Sequence, residues 1–149
     1  MTLLEINKRI KQRPPFQMIE RLTSFEAGKS AVGIKCVSVN EPYFQGHMPV
    51  TPIMPGVLLI ESAAQLCSLI FSESKVEEDK IYVLLKVGDF KFVKPVIPGD
   101  RLEIKGECVR SNAAFSECKV EISCDGQIRA KGSLTFTKVD RSSIYPDEA

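Results

Sequence analysis

Gly46-His47-Met48-Pro49-Val50-Thr51-Pro52-Ile53-Met54-Pro55-Gly56-Val57-Leu58-Leu59-Ile60-Glu61-Ser62-Ala63-Ala64-Gln65 decides the fold, because in it a constrained loop runs into the one long apolar helix of the chain. Pro49, Pro52 and Pro55 stiffen the loop, Gly56 follows, and no breaker interrupts the run from Val57 to Phe71. Val57, Leu58, Leu59, Ile60, Ala63, Ala64, Leu66, Cys67, Leu69, Ile70 and Phe71 point in nearly every direction around a helical period. The helix is therefore expected to be wrapped by protein on most sides. Among its exceptions, Glu61, Gln65, Ser68 and Ser72 fall at i, i+4, i+7 and i+11 and form one narrow polar stripe.

A carboxylate taken out of water must be paired, hydrogen-bonded or protonated, and desolvation moves it toward the range useful to a general acid. Glu61 is thus a candidate acid. His47 is the only histidine of the chain, and imidazole is a natural base near neutrality. Taken singly, a helical glutamate is more often solvated or paired, and a lone histidine is more often structural. The spacing that sets both beside the same loop makes the pair a candidate acid–base site.

Outward from this stretch, the pattern changes from helical to alternating. Leu102, Ile104, Gly106 and Cys108 share one face of a strand; Ala114, Ser116, Cys118, Val120, Ile122 and Cys124 share one face of the next. Asp125-Gly126 predicts a tight hairpin into a third strand carrying Ile128, Ala130, Gly132, Leu134 and Phe136. Ser30 to Val39 predicts an earlier strand, and Ile81 to Lys86 with Val87 to Val93 supply one or two more. Ser72 to Lys80 reads as helix end and loop. These elements define an α+β domain in which an antiparallel sheet covers a long apolar helix.

Length and composition agree. A chain of 149 residues with 44% hydrophobic residues suits one domain with a real core, spanning residues 1–149. Residues 1–12 read as a short amphipathic helix without the features of a secretory signal, and residues 140–149 as a polar, frayed tail. No apolar run is long enough to span a membrane. Five cysteines with no Cys-x-x-Cys pair, together with one histidine, offer no zinc spacing and suggest reduced thiols in a cytoplasmic protein. A net charge of +1 gives no electrostatic case for nucleic acid, and no glycine-rich phosphate loop is present, so neither metal nor cofactor is expected.

The segment Asn40-Glu41-Pro42-Tyr43-Phe44-Gln45-Gly46-His47-Met48-Pro49, followed by Pro52-Ile53-Met54-Pro55-Gly56-Val57-Leu58-Leu59-Ile60-Glu61, closely resembles the 3-hydroxyacyl-acyl-carrier-protein dehydratases of type II fatty acid synthesis. Pro15-Phe16-Gln17-Met18-Ile19-Glu20-Arg21 and Lys91-Phe92-Val93-Lys94-Pro95-Val96-Ile97-Pro98-Gly99-Asp100-Arg101-Leu102 extend the resemblance from about residue 13 to residue 136. It implies a hot-dog fold, an antiparallel sheet wrapped around the central helix. It also implies a homodimer with sites at the interface, and further assembly as a trimer of dimers.

The implied reaction removes water from a (3R)-3-hydroxyacyl thioester. His47 takes the α-proton, Glu61 from the partner subunit helps protonate the departing hydroxyl, and the Gly56 N–H stabilises the thioester oxyanion. Gln65 would hold Glu61 in place. Phe44, Met48, Ile53, Met54, Leu58 and Phe90 would line the acyl tunnel as a group. The acyl chain would arrive on phosphopantetheine attached to an acidic acyl carrier protein, for which Lys86, Lys91, Lys94 and Arg101 are docking candidates. Three positions depart from the family pattern: Met48 replaces an aromatic residue, Val50 a glycine, and Pro14 or Pro15 a tyrosine. They predict an altered loop path and an altered tunnel.

Other readings are a hot-dog thioesterase using Glu61, a dehydratase-like subunit of a specialised lipid or polyketide pathway, and a non-catalytic acyl-thioester-binding protein. The Gly46-His47-x-Pro49 loop favours dehydration over thioester hydrolysis. Glu61, where the bifunctional dehydratase–isomerases usually carry Asp, favours a plain dehydratase.

Overall fold

The computed structural model describes residues 1–72 and 77–148. Its elements run α1 (Leu3–Ile6), β1 (Arg21–Glu26), β2 (Ser30–Cys36), a 3-10 turn (Pro42–Gln45), α2 (Gly56–Ile70), β3 (Lys80–Phe92), β4 (Arg101–Ser111), β5 (Ser116–Cys124), β6 (Gln127–Asp140), α3 (Arg141–Ile144) and a closing 3-10 turn (Pro146–Glu148). All six strands join in one antiparallel sheet ordered β1-β2-β4-β5-β6-β3.

The sheet faces the helix with the residues that alternation predicted. Leu102, Ile104, Cys118, Val120, Ile122, Ala130, Leu134 and Phe136 are buried with Leu59, Ala63, Leu66, Cys67 and Ile70 of α2. Gly106 lets the helix come close, since a Cβ there would sit 3.2 Å from Ile70 Cδ1 and 3.3 Å from Leu66 Cδ2. At the turn Asp125-Gly126, φ is 51° and 77°, the left-handed pair that a two-residue hairpin demands.

Several boundaries differ from the sequence reading. The strand expected from Ala114 begins at Ser116, because the Asn112 side chain accepts the Ala114 and Phe115 N–H groups and holds them in a turn. The strand expected to reach Val39 ends at Cys36; Val37 then bonds to Asp100 and the chain turns at Ser38. β3 is a single strand, bent by irregular register at Leu84/Lys86 and Gly88/Lys91, with Asp89 at φ 47°. β1 had no clear alternating signal: as an edge strand it buries only Leu22 fully.

Helix at the amino end is confined to Leu3–Ile6, and after Asp140 the chain makes one further helical turn. Part of the loop expected between Ser72 and Lys80 lies outside the described residues.

Nor is α2 wrapped evenly. Its C-terminal half is buried, whereas Val57 is 72% exposed and Leu58, Ile60 and Glu61 are half-buried. A single sheet covers only one flank of a helix, and residues such as Ile6, Ile10 and Met18 add to the core of this chain. The far side of the first helical turns stays open. No helix among the described residues is long and apolar enough to cross a membrane.

Candidate active site

His47 leaves the 3-10 turn with its backbone already fixed, since its N–H donates to Tyr43 O at 3.0 Å. Its ring is fixed as well. Nδ1 lies 2.8 Å from Ile53 O, and because a carbonyl can only accept, Nδ1 carries a proton and the lone pair of the neutral ring falls on Nε2. The Ile53 carbonyl is in turn held by its neighbours: Met54 N–H donates to Val96 O at 2.8 Å, and Arg129 Nη1 donates to Pro95 O at 2.6 Å. The Arg129–Asp100 ion pair, 3.5 Å and largely buried, braces that second loop. His47 is thus a half-buried ring offering one basic nitrogen.

Glu61 sits one turn and a half into α2, half-buried. Desolvation raises its carboxyl above the ordinary glutamate value, and the hydrogen bond from Gln65 pulls partly the other way. That bond, Gln65 Nε2 to Glu61 Oε1 at 3.0 Å, leaves Oε2 as the oxygen free to carry a proton. Gln65 is fully buried; its Nε2 also donates to Phe16 O at 2.9 Å, and its Oε1 accepts the Met18 N–H at 2.8 Å. The polar stripe of the helix is therefore satisfied at Gln65 by the segment preceding β1, and at Ser68 and Ser72 by the helix backbone.

Gly56 is the first residue of α2, where backbone N–H groups have no intrahelical acceptor. A Cβ there would lie 2.9 Å from the Phe92 ring, so close approach of Phe92 is one reason for glycine. Phe92 stacks on Phe90 with centroids 5.4 Å apart. Phe44 and Met54 are buried, Ile53, Leu58 and Phe90 half-buried, and Met48 exposed. Two cavities lie away from these residues. One of about 1010 Å³ spans the sheet around Lys105, Lys119 and Lys131; another of about 470 Å³ lies around Phe71, Tyr82 and Phe115. Val50 adopts an ordinary φ and is 94% exposed, so its side chain imposes no backbone strain on the loop.

Within one chain His47 and Glu61 share no hydrogen bond. Lys86 and Lys91 lie on β3 and Lys94 just beyond it, where its Nζ donates to Gln127 Oε1 at 3.1 Å; Arg101 opens β4 opposite Cys36, and all four are exposed. Among the described residues no group of three or more His, Cys, Asp or Glu side chains could hold a metal ion. The sequence reading passed over Lys35, a charged side chain on the inward parity of β2 with Ala31 and Gly33. That parity was the signal available.

The chain matches known proteins along nearly its whole length. The family model for the FabA-like domain matches residues 10–132. The 3-hydroxyacyl-acyl-carrier-protein dehydratase FabZ of Acetivibrio thermocellus is 38% identical over 143 residues, covering 94% of this chain and 96% of that protein. Among solved structures, the dehydratase heterocomplex ApeI:P from Xenorhabdus doucetiae superposes with a TM-score of 0.77 at 16% identity, covering 97% of each chain. A hot-dog-like protein from Thermanaerovibrio acidaminovorans superposes with a TM-score of 0.66 at 17% identity, covering 83% of this chain and 90% of that one. The architecture is the hot-dog fold.

Proposed function

The chain belongs to the FabA-like family, as a 3-hydroxyacyl-acyl-carrier-protein dehydratase of fatty acid synthesis, and we propose that His47 and Glu61 carry its reaction. The observation that supports this mechanism most is the His47–Ile53 hydrogen bond, which places the lone pair of the neutral ring on Nε2, on a braced loop.

The substrate is a 3-hydroxyacyl thioester carried on acyl carrier protein. Nε2 removes the α-proton, and the electron pair moves toward the thioester carbonyl. The helix N-terminus at Gly56, with its unpaired N–H groups, stabilises the developing oxyanion. As the enolate collapses to the enoyl thioester, the β-hydroxyl leaves with the proton of Glu61 Oε2 as water. His47 is then protonated and Glu61 ionised, and proton return through water restores both. The upward shift of the Glu61 carboxyl fits an acid that must hold its proton near neutrality.

The site is completed by two copies of the chain, His47 from one and Glu61 of the partner subunit. The open flank of α2 supports this pairing, as does the free edge of β3, where Leu84, Leu85 and Val87 are exposed. The tunnel residues Phe44, Met48, Ile53, Met54, Leu58 and Phe90 then meet across that interface. Lys86, Lys91, Lys94 and Arg101 offer the acidic carrier a cationic rim, in a cytoplasmic enzyme that needs no cofactor.

The test is to incubate the protein with an (R)-3-hydroxyacyl thioester of acyl carrier protein, or of pantetheine, and to follow enoyl-thioester absorbance. His47→Ala and Glu61→Gln should each abolish water loss. Release of free thiol would instead support a thioesterase, and loss of neither water nor thiol would leave a binding role.

A further inference from the structure

Lys35 is the anomaly that the dehydration chemistry does not use. It pairs in register with fully buried Leu102 on the helix-facing side of the sheet and is only 2% exposed. Its ammonium meets the Glu41 carboxylate in a close ion pair, and a Glu20 carboxylate oxygen stands 3.8 Å away. Such a pair is a poor source of stability, because desolvating both charges cancels most of their attraction and apolar residues of similar volume serve as well. What a buried ion pair does provide is one preferred arrangement of the segments that carry it.

Glu41 is the residue that begins the 3-10 turn leading to His47. Its N–H donates to Ser38 O at 3.1 Å, its carbonyl accepts from Phe44 at 3.1 Å, and the Tyr43 carbonyl accepts the N–H groups of Gly46 and His47 at 3.3 and 3.0 Å. One hydrogen-bonded turn thus joins the ion pair to the backbone of His47. Tyr43 Oη is buried and makes no hydrogen bond, so it does not anchor the turn. Among the described residues, the Glu41 carboxylate is the only side-chain polar tether from the segment Glu41 to Gly46 to the sheet.

We propose that Lys35 and Glu41 are positioning residues that clamp the His47 loop to β2 and so hold the imidazole within reach of Ile53 O, in its Nδ1-protonated form. The inference rests on the acid–base reading of His47. Without Glu41, Lys35 still has Glu20, which precedes β1 rather than the 3-10 turn, so the charge stays satisfied while the loop comes loose.

The chain has a single histidine, so imidazole 15N resonances report His47 alone. The unaltered enzyme, at a pH where the ring is neutral, should show the Nδ1–H tautomer; Glu41→Ala and the apolar pair Lys35→Met/Glu41→Leu should show mixed tautomers. In both variants kcat should fall by about tenfold to a hundredfold with KM within about twofold of the parent. Because the apolar pair removes both partners of this largely buried ion pair, its melting temperature should stay near that of the parent, which separates a positioning role from a stabilising one. Should the pair fail to fold, Glu41→Asp, which withdraws the carboxylate by one methylene, makes the same comparison. A folded variant with parental kcat and a pure Nδ1–H signal overturns the clamp. Turnover by His47→Ala would overturn the acid–base reading instead, and the tautomer spectra would still decide whether the clamp exists.

Discussion

Replacing Gln65 with leucine tests the hydrogen bonds that tie the central helix to the segment before β1. Leucine has nearly the volume of glutamine, so the substitution removes hydrogen bonds without opening a large cavity. Three are lost: from Met18 N–H at 2.8 Å, to Phe16 O at 2.9 Å and to Glu61 Oε1 at 3.0 Å. Met18 is 1% exposed, so its N–H stays dry and unpaired, at a cost of about 1–3 kcal/mol. Phe16 is half-exposed and Glu61 half-buried, so water replaces part of what they lose, and each contributes about 0.5–1 kcal/mol. The sum is about 3 kcal/mol, which for a chain of this length lowers the melting temperature by roughly 6–12 °C.

The same change has a second signature. Gln65 donates to the Glu61 carboxylate and favours its ionised form, so its loss pushes that carboxyl further up. Glu61 then keeps its proton to higher pH, and the alkaline limb of the kcat/KM profile should move upward. Calorimetry and a pH–rate profile on Gln65→Leu check both. A melting temperature within about 2 °C of the parent, with an unmoved alkaline limb, refutes the assignment of Gln65 as the bridge between helix and acid.

Glu61→Gln should inactivate the enzyme and stabilise it. Burial holds the native carboxyl above its ordinary value of 4.5, so the folded state binds more protons than the unfolded one, and stability falls as pH rises from 4.5 through the raised native pKa. Thermal melts of parent and variant should coincide below that window, with the variant melting higher above it. Gly56→Ala puts a methyl group about 2.9 Å from the Phe92 ring. The ring resists, so the helix start yields and kcat/KM should fall about tenfold as its N–H groups shift from the oxyanion, while the melting temperature changes little at this half-exposed site. Steady-state kinetics with Gly56→Ala/Phe92→Leu should recover most of the loss.

Much of this fold was legible because its signals are local. The helix Gly56–Ile70 follows from a breaker-free apolar run behind three prolines, and the β5–β6 hairpin from an Asp-Gly pair that readily adopts positive φ. β1 escaped because an edge strand with one fully buried residue shows no alternation. The candidate acid and base could be named from residue type and position. The Ile53 carbonyl that selects the His47 tautomer could not, since it depends on how a proline-rich loop folds back and on support from Val96 and Arg129, far along the chain. Lys35 was passed over because attention rested on apolar positions, although a charge on the inward parity of a strand is visible without coordinates.

The strand order has a consequence for biosynthesis. α2 emerges from the ribosome after β2 but before β4 and β5, the other strands that pack most closely on it, and β5 ends 54 residues after the helix does. At roughly 5–20 residues per second, that interval lasts about 3–11 s. Until β4 arrives, Leu66 and Ile70 lack the cover that the strand around Gly106 gives them. The nascent chain therefore carries incompletely covered apolar helix surface for seconds, long enough for a chaperone to bind it.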